Sequence, residues 1–165
     1  MNMKGRTAME KEFRMSQARF DELSQELNYL KTTRSDEVAE QIKIARGFGD
    51  LSENSEYDEA KNEQGKLYSR IAELENIIQH TVIVDEANAP TNVVTIGSIV
   101  IVEDMAGNEL PAYKIVGSQE ADPMNNAISE DSPFGKALLG AQEGQKVTVE
   151  APRGAIMYTL KRIER

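Results

Sequence analysis

The chain has 165 residues, 28 acidic against 19 basic, and a formal net charge of −9, which argues against sequence-independent binding to duplex nucleic acid because that needs a basic surface. Cysteine is absent, so disulfides, thiolate metal sites and cysteine nucleophiles are excluded. No apolar run approaches the roughly 18–20 residues of a membrane span and no signal-peptide core is present, so the expected compartment is the cytoplasm, with no membrane partner.

Residues 1–15 carry scattered charges and no durable apolar stripe, which predicts a frayed extension or a weak helical lead-in. Ser16 offers a helix N-cap before Phe20, Leu23, Leu27 and Leu30, whose 3-4-3 spacing is a heptad seam. The seam then slips by one residue before Val38, Ile42 and Ala45, which predicts local bending or a short break. Gly47 and Gly49 are the expected stop, near Arg46 or Phe48. A second helix follows on Tyr57, Ala60, Gln64, Leu67, Ile71, Leu74 and Ile78, with Gln64 a polar member able to fix register. The two helices make an antiparallel hairpin, each arm of roughly 28–32 residues reaching about 40–45 Å.

Thr81–Asp85 reads as a short strand, and Glu86–Asn92 as a linker. From Thr95 the period becomes that of strands: Ser98–Val102, Ala112–Val116, Lys146–Glu150 and Ile156–Leu160. Ser132 as N-cap, Pro133 at the first position and Gly140 beyond the end mark one short helix. The expected class is α+β. A coiled-coil hairpin over residues 1–84 and a linker over 85–95 lead to a small antiparallel sheet domain with one helix over 96–165.

Asp50 and Glu53 are the candidate chemical pair. Two carboxylates three residues apart can converge on one ion, and Mg²⁺ takes oxygen ligands while relying on others to complete its shell. The same spacing is nearly a capping box, with acids in a helix's first turn complementing its dipole. Spacing leaves both readings open. Glu56, Asp58 and Glu59 read as a solvated face. Arg46 and Lys61 flank the pair, either as ordinary surface charges or as a basic spot that guides RNA. His80 is the only histidine, so no Ser/His/Asp arrangement is expected near the tip.

The stretch from Ala45-Arg46-Gly47-Phe48-Gly49-Asp50-Leu51-Ser52-Glu53 through Asn54-Ser55-Glu56-Tyr57-Asp58-Glu59-Ala60-Lys61 resembles the tip signature of the Gre family of bacterial transcript-cleavage factors. Ile115-Val116-Gly117, Glu120-Ala121-Asp122 and Ile128-Ser129 through Ser132-Pro133 to Gly140 are similar to its second half, in family order. The resemblance runs from about Ser16 to Ile163. It implies a coiled-coil hairpin and an FKBP-like domain that docks on bacterial RNA polymerase. The hairpin is then expected to enter the secondary channel and stimulate the polymerase's own cleavage of backtracked RNA.

On this resemblance, Asp50 and Glu53 match the acids that share a Mg²⁺ ion completed by the polymerase. Arg46 and Lys61 match the basic positions that guide the nascent RNA 3′ end, and Asp131, Ser132 and Pro133 match the docking loop. The chain is then a monomeric factor that activates another enzyme and is no enzyme by itself. Asp36 stands where the family often has proline. The family has two sibling branches, one with a stronger basic patch, and the acidic balance here favours the other. Two rival readings are a channel regulator that docks without supporting cleavage and a prolyl isomerase. Tyr113, Phe134 and Tyr158 are the only aromatics of the second domain and too few for a convincing proline pocket.

Overall fold

A computed structural model describes residues 11–48 and 54–165. Two compact units are present among them: one comprises residues 20–81, the other residues 12–19 together with 82–165.

The helical unit is built from α1 (Gln17–Tyr29), a π-helical turn (Leu30–Arg34), α2 (Ser35–Arg46) and α3 (Ser55–Gln79). The π turn explains the slipped heptad. A π turn takes one extra residue into a helix without ending it, and the slip between Leu30 and Val38 is that residue. Ser35 Oγ donates to the Leu30 carbonyl at 2.7 Å, so the widened turn keeps its acceptor satisfied. Val38, Ile42 and Ala45 therefore return to the buried seam as expected, opposite buried Ala60 and Leu67. Leu30, Tyr57 and Ile71 pack around that cluster while partly exposed. Burying one such large aliphatic side chain contributes about 1.5–3 kcal/mol.

Register across the hairpin is held by charge. Arg70 grips Glu26 with two bonds, Nε to Oε1 at 2.9 Å and Nη2 to Oε2 at 3.1 Å. Lys31 meets Glu75 at 2.9 Å and Arg34 meets Glu63 at 3.4 Å. Gln64, the seam residue expected to fix register, instead accepts from Lys61 Nζ on its own helix at 2.8 Å. One turn back along α3, a side chain that short finds a partner more readily than one across the seam.

The second unit carries a two-stranded ribbon of β1 (Phe13–Met15) and β2 (Thr81–Ile83) and a five-stranded sheet. The sheet strands are β3 (Ile99–Glu103), β4 (Tyr113–Val116), β5 (Ala127–Ser129), β6 (Lys146–Ala151) and β7 (Gly154–Glu164), in the order β5-β4-β3-β7-β6. One helix, α4 (Pro133–Leu138), packs on β6. The core is Val94, Val100, Val102, Ile115, Leu138, Ala141, Val147 and Leu160. Val94, in the stretch expected to link the domains, is 1% exposed and exchanges backbone bonds with Ala141 and Gly140.

The sheet is mixed, which corrects the antiparallel expectation. β5 runs parallel to β4, pairing Lys114 with Ala127 and Val116 with Ser129. The connection coils through two 3₁₀ turns and turns sharply at Asn126, φ 58°. Such a three-residue strand has too little alternation to be read from sequence.

Residues 13–15 are likewise strand, where a frayed lead-in was expected. The Met15 carbonyl accepts from Val84 N at 2.9 Å, and Met15 is fully buried. Gly117 makes room for this strand, since a Cβ there would collide with the Arg14 carbonyl. Ser16 caps α1 as expected, accepting from Arg19 N at 3.2 Å. Its own hydroxyl donates to Glu120 Oε1 at 2.6 Å.

Candidate functional site

Asp50 and Glu53 lie outside the described residues; the two helix ends that flank them are described. α2 ends at Arg46 with i−3 bonds from Gly47 N to Ile44 O at 3.0 Å and from Phe48 N to Ala45 O at 3.2 Å. Gly47, one of the two expected stops, stays right-handed, φ −69°, so the helix tightens through its last described turn; Gly49, the other, lies outside the described residues.

Asn54 closes the hairpin. Its Oδ1 accepts from Tyr57 N at 3.1 Å, capping α3. Its Nδ2 donates to the Ala45 carbonyl at 2.6 Å, near the end of α2. One amide thus satisfies an orphan donor of one helix and an acceptor of the other. Because α3 starts only at Ser55, its N-cap is Asn54, and the capping-box reading of Asp50 and Glu53 does not describe this helix start. Asparagine ranks among the best N-cap residues, and that preference was the available signal.

Arg46 lies with its guanidinium carbon 5.9 Å from the Tyr57 ring centroid. Lys61 is exposed one turn further along α3 and bonds Gln64. Two carboxylates such as Asp50 and Glu53 suit a hard, oxygen-seeking ion but are too few to complete its shell. Among the described residues, no group of three or more His, Asp or Glu side chains could hold a metal.

Asp131, Ser132 and Pro133 precede and open α4. Ser132 Oγ accepts from Gly135 N at 3.0 Å and donates to the Ser129 carbonyl at 2.7 Å. Asp131 N donates to Ser129 Oγ at 3.1 Å. These bonds fix the loop while Asp131 and Pro133 stay exposed. Both line a cleft of about 360 Å³ with Lys136, Ala137, Thr148 and Glu150. Gly135 lets α4 sit against β5, since a Cβ there would strike the Ser129 carbonyl.

Tyr113, Phe134 and Tyr158 of this unit converge, a juxtaposition their sequence positions did not reveal. Phe134 stands edge-on to Tyr113 at 5.3 Å and to Tyr158 at 5.8 Å. With Leu110 and Ile128 they line a cleft of about 200 Å³, below the roughly 300–1,000 Å³ of small-molecule sites.

Comparison with known proteins gives a consistent picture. A family model described as "Transcription elongation factor, N-terminal" matches residues 13–83, and one described as "Transcription elongation factor, GreA/GreB, C-term" matches residues 89–165. The chain is 50% identical over 155 residues to transcription elongation factor GreA of Clostridioides difficile, covering 94% of this chain and 98% of that one. It is 54% identical over 143 residues to GreA of Caldanaerobacter subterraneus subsp. tengcongensis, covering 87% and 91%. A solved structure of the transcription factor Gfh1 aligns with 29% identity and a TM-score of 0.47, over 95% of this chain and 100% of that one. No helix among the described residues is long and apolar enough to cross a membrane. With both halves matched and half of its residues shared with such relatives, the chain belongs to the GreA/GreB family of transcription elongation factors.

Proposed function

We propose that the protein binds bacterial RNA polymerase, inserts its helical hairpin through the secondary channel and stimulates the polymerase's intrinsic cleavage of backtracked nascent RNA. The observation that carries this reading is the Asn54 tie. It joins the end of α2 to the start of α3, and the short connection that it closes carries Asp50 and Glu53. Both acids are the residue types that a partial Mg²⁺ site needs, and nothing else is required of them than to arrive together.

In this reading Asp50 and Glu53 would hold a Mg²⁺ ion jointly with polymerase carboxylates, and that ion supplies charge neutralisation and water activation for phosphodiester hydrolysis. The chain's own contribution is orientation. Asp50 and Glu53 accept hydrogen bonds from the attacking water and set its approach to the phosphorus. Arg46 and Lys61 attract the RNA 3′ segment, and the fixed Asp131-Ser132-Pro133 loop docks on the polymerase. The protein acts as a monomer and as an activator; its two carboxylates alone supply only part of a metal site.

The test is transcript cleavage in a purified backtracked elongation complex with Mg²⁺. Wild type shortens the RNA, while Asp50→Asn and Glu53→Gln bind the complex and nearly abolish shortening. Normal cleavage by both variants would remove the tip mechanism, and binding without cleavage by wild type would favour a channel regulator.

A further inference from the structure

Arg46 ends α2, and Tyr57 stands in the first turn of α3. Their separation of 5.9 Å from guanidinium carbon to ring centroid lies within the roughly 6 Å reach of a cation–π contact. Tyr57 is fixed in two ways. Its amide is held by Asn54 Oδ1 at 3.1 Å, and its side chain packs on the buried cluster of Val38, Ile42, Ala60 and Leu67. A ring held this firmly restricts the long side chain resting over it.

Two other arginines of the hairpin have a different occupation. Arg34 is paired with Glu37 and Glu63, and Arg70 with Glu26 and Glu73, so their charge is locally neutralised. Arg46 is exposed and makes no ion pair among the described residues. A ring packed against one face of a guanidinium leaves its in-plane N–H donors available to another partner. Those donors match two oxygens of a phosphate, in the planar fork that lysine lacks.

We propose that Tyr57 is a positioning residue that holds the Arg46 guanidinium ready for a phosphate of the RNA 3′ segment. The proposal rests on the reading of the hairpin tip as the RNA-facing end. It assigns the two basic residues different parts: Arg46 is a pre-oriented clamp, and Lys61, bonded to Gln64, is a diffuse charge.

The test uses the full chain with a backtracked polymerase complex that carries a photoreactive nucleotide at its RNA 3′ end. Ca²⁺ replaces Mg²⁺, so the readout is crosslinking of RNA to the protein and is independent of cleavage. Tyr57→Leu keeps apolar volume and removes the ring; crosslinking at subsaturating protein falls about two- to fivefold, the size expected of an exposed cation–π contact. Tyr57→Phe keeps the wild-type yield, and Arg46→Lys falls as Tyr57→Leu does. In the protein alone, NMR of the Arg46 δ-protons shows a ring-current shift that Tyr57→Leu abolishes and Tyr57→Phe retains.

Unchanged crosslinking in Tyr57→Leu or in Arg46→Lys overturns the proposal, as does an Arg46 signal without a ring-current shift in wild type. Should Tyr57→Leu loosen the hairpin, as thermal melting would reveal, the Arg46→Lys yield and the wild-type NMR shift still decide it. Failure of wild type to cleave in Mg²⁺ counts against the proposed function and leaves these readouts intact.

Discussion

Asn54 makes two bonds that substitution can separate. Asn54→Asp keeps an acceptor for Tyr57 N and adds a negative charge at a helix N-terminus, where it is favourable, but loses the donor to the Ala45 carbonyl. Asn54→Ala loses both, and loss of an N-cap costs about 0.5–2 kcal/mol. Urea unfolding is expected to rank Asn54→Ala below Asn54→Asp, with wild type above both. Equal losses in the two variants would mean that the cap contributes nothing and the tie everything. Ser16 and Ser132 were legible as caps because each stands immediately before an apolar-periodic or proline-started segment. Asn54 was not, because Asp50 and Glu53, three residues apart, imitate a capping box just upstream. The pairing of Arg46 with Tyr57 was equally hidden, since its partners sit on opposite arms and no periodicity links them.

At the level of elements, the π turn makes a direct prediction. Deleting Thr33 removes the residue that the turn accommodates and restores seven-residue spacing between Leu30 and Val38. The hairpin is expected to keep its helicity by circular dichroism, with no fall in melting temperature; collapse of the helical signal would show that the π turn does more than absorb a slip.

The turn after β3 offers a test by pH. Asp104 accepts from Asn108 N at 2.9 Å, from Asn108 Nδ2 at 3.2 Å and from Ala106 N at 2.9 Å. These bonds, the Asn108 amide first, hold its carboxyl below the ordinary aspartate value. A depressed folded value means that the stabilisation is present above the ordinary aspartate range and lost as pH falls through the folded value. Asp104→Asn is therefore expected to reduce stability at pH 7 and to flatten its decline on acidification, measured by thermal melts from pH 7 to pH 2. An unchanged acid slope would contradict the assignment. The longer strands were legible from alternation alone, as Lys146–Glu150 illustrates. β1 and β5 were not, because their three residues stand in polar surroundings with no apolar run, whereas the equally short β2 lies in the apolar run Thr81–Asp85.

At the scale of the whole molecule, two family models cover almost the full chain, and the proposed roles divide between its units. Under the proposed function the helical unit would contribute Asp50, Glu53, Arg46 and Lys61, and the sheet unit the Asp131-Ser132-Pro133 loop. Ser132→Ala removes the hydroxyl that joins Gly135 N to the Ser129 carbonyl. It is expected to weaken binding to polymerase several-fold while the hairpin's helicity is unchanged, and wild-type affinity would place docking elsewhere.

Under the proposed function, Asp50 and Glu53 complete a shared Mg²⁺ site. The most direct test of that role is single-turnover RNA cleavage in backtracked complexes across a Mg²⁺ titration, with wild type and Glu53→Gln at saturating protein. Glu53→Gln is expected to cleave far more slowly at limiting Mg²⁺ and to recover in part as Mg²⁺ rises. Identical rates and identical Mg²⁺ dependence for the two proteins would contradict it.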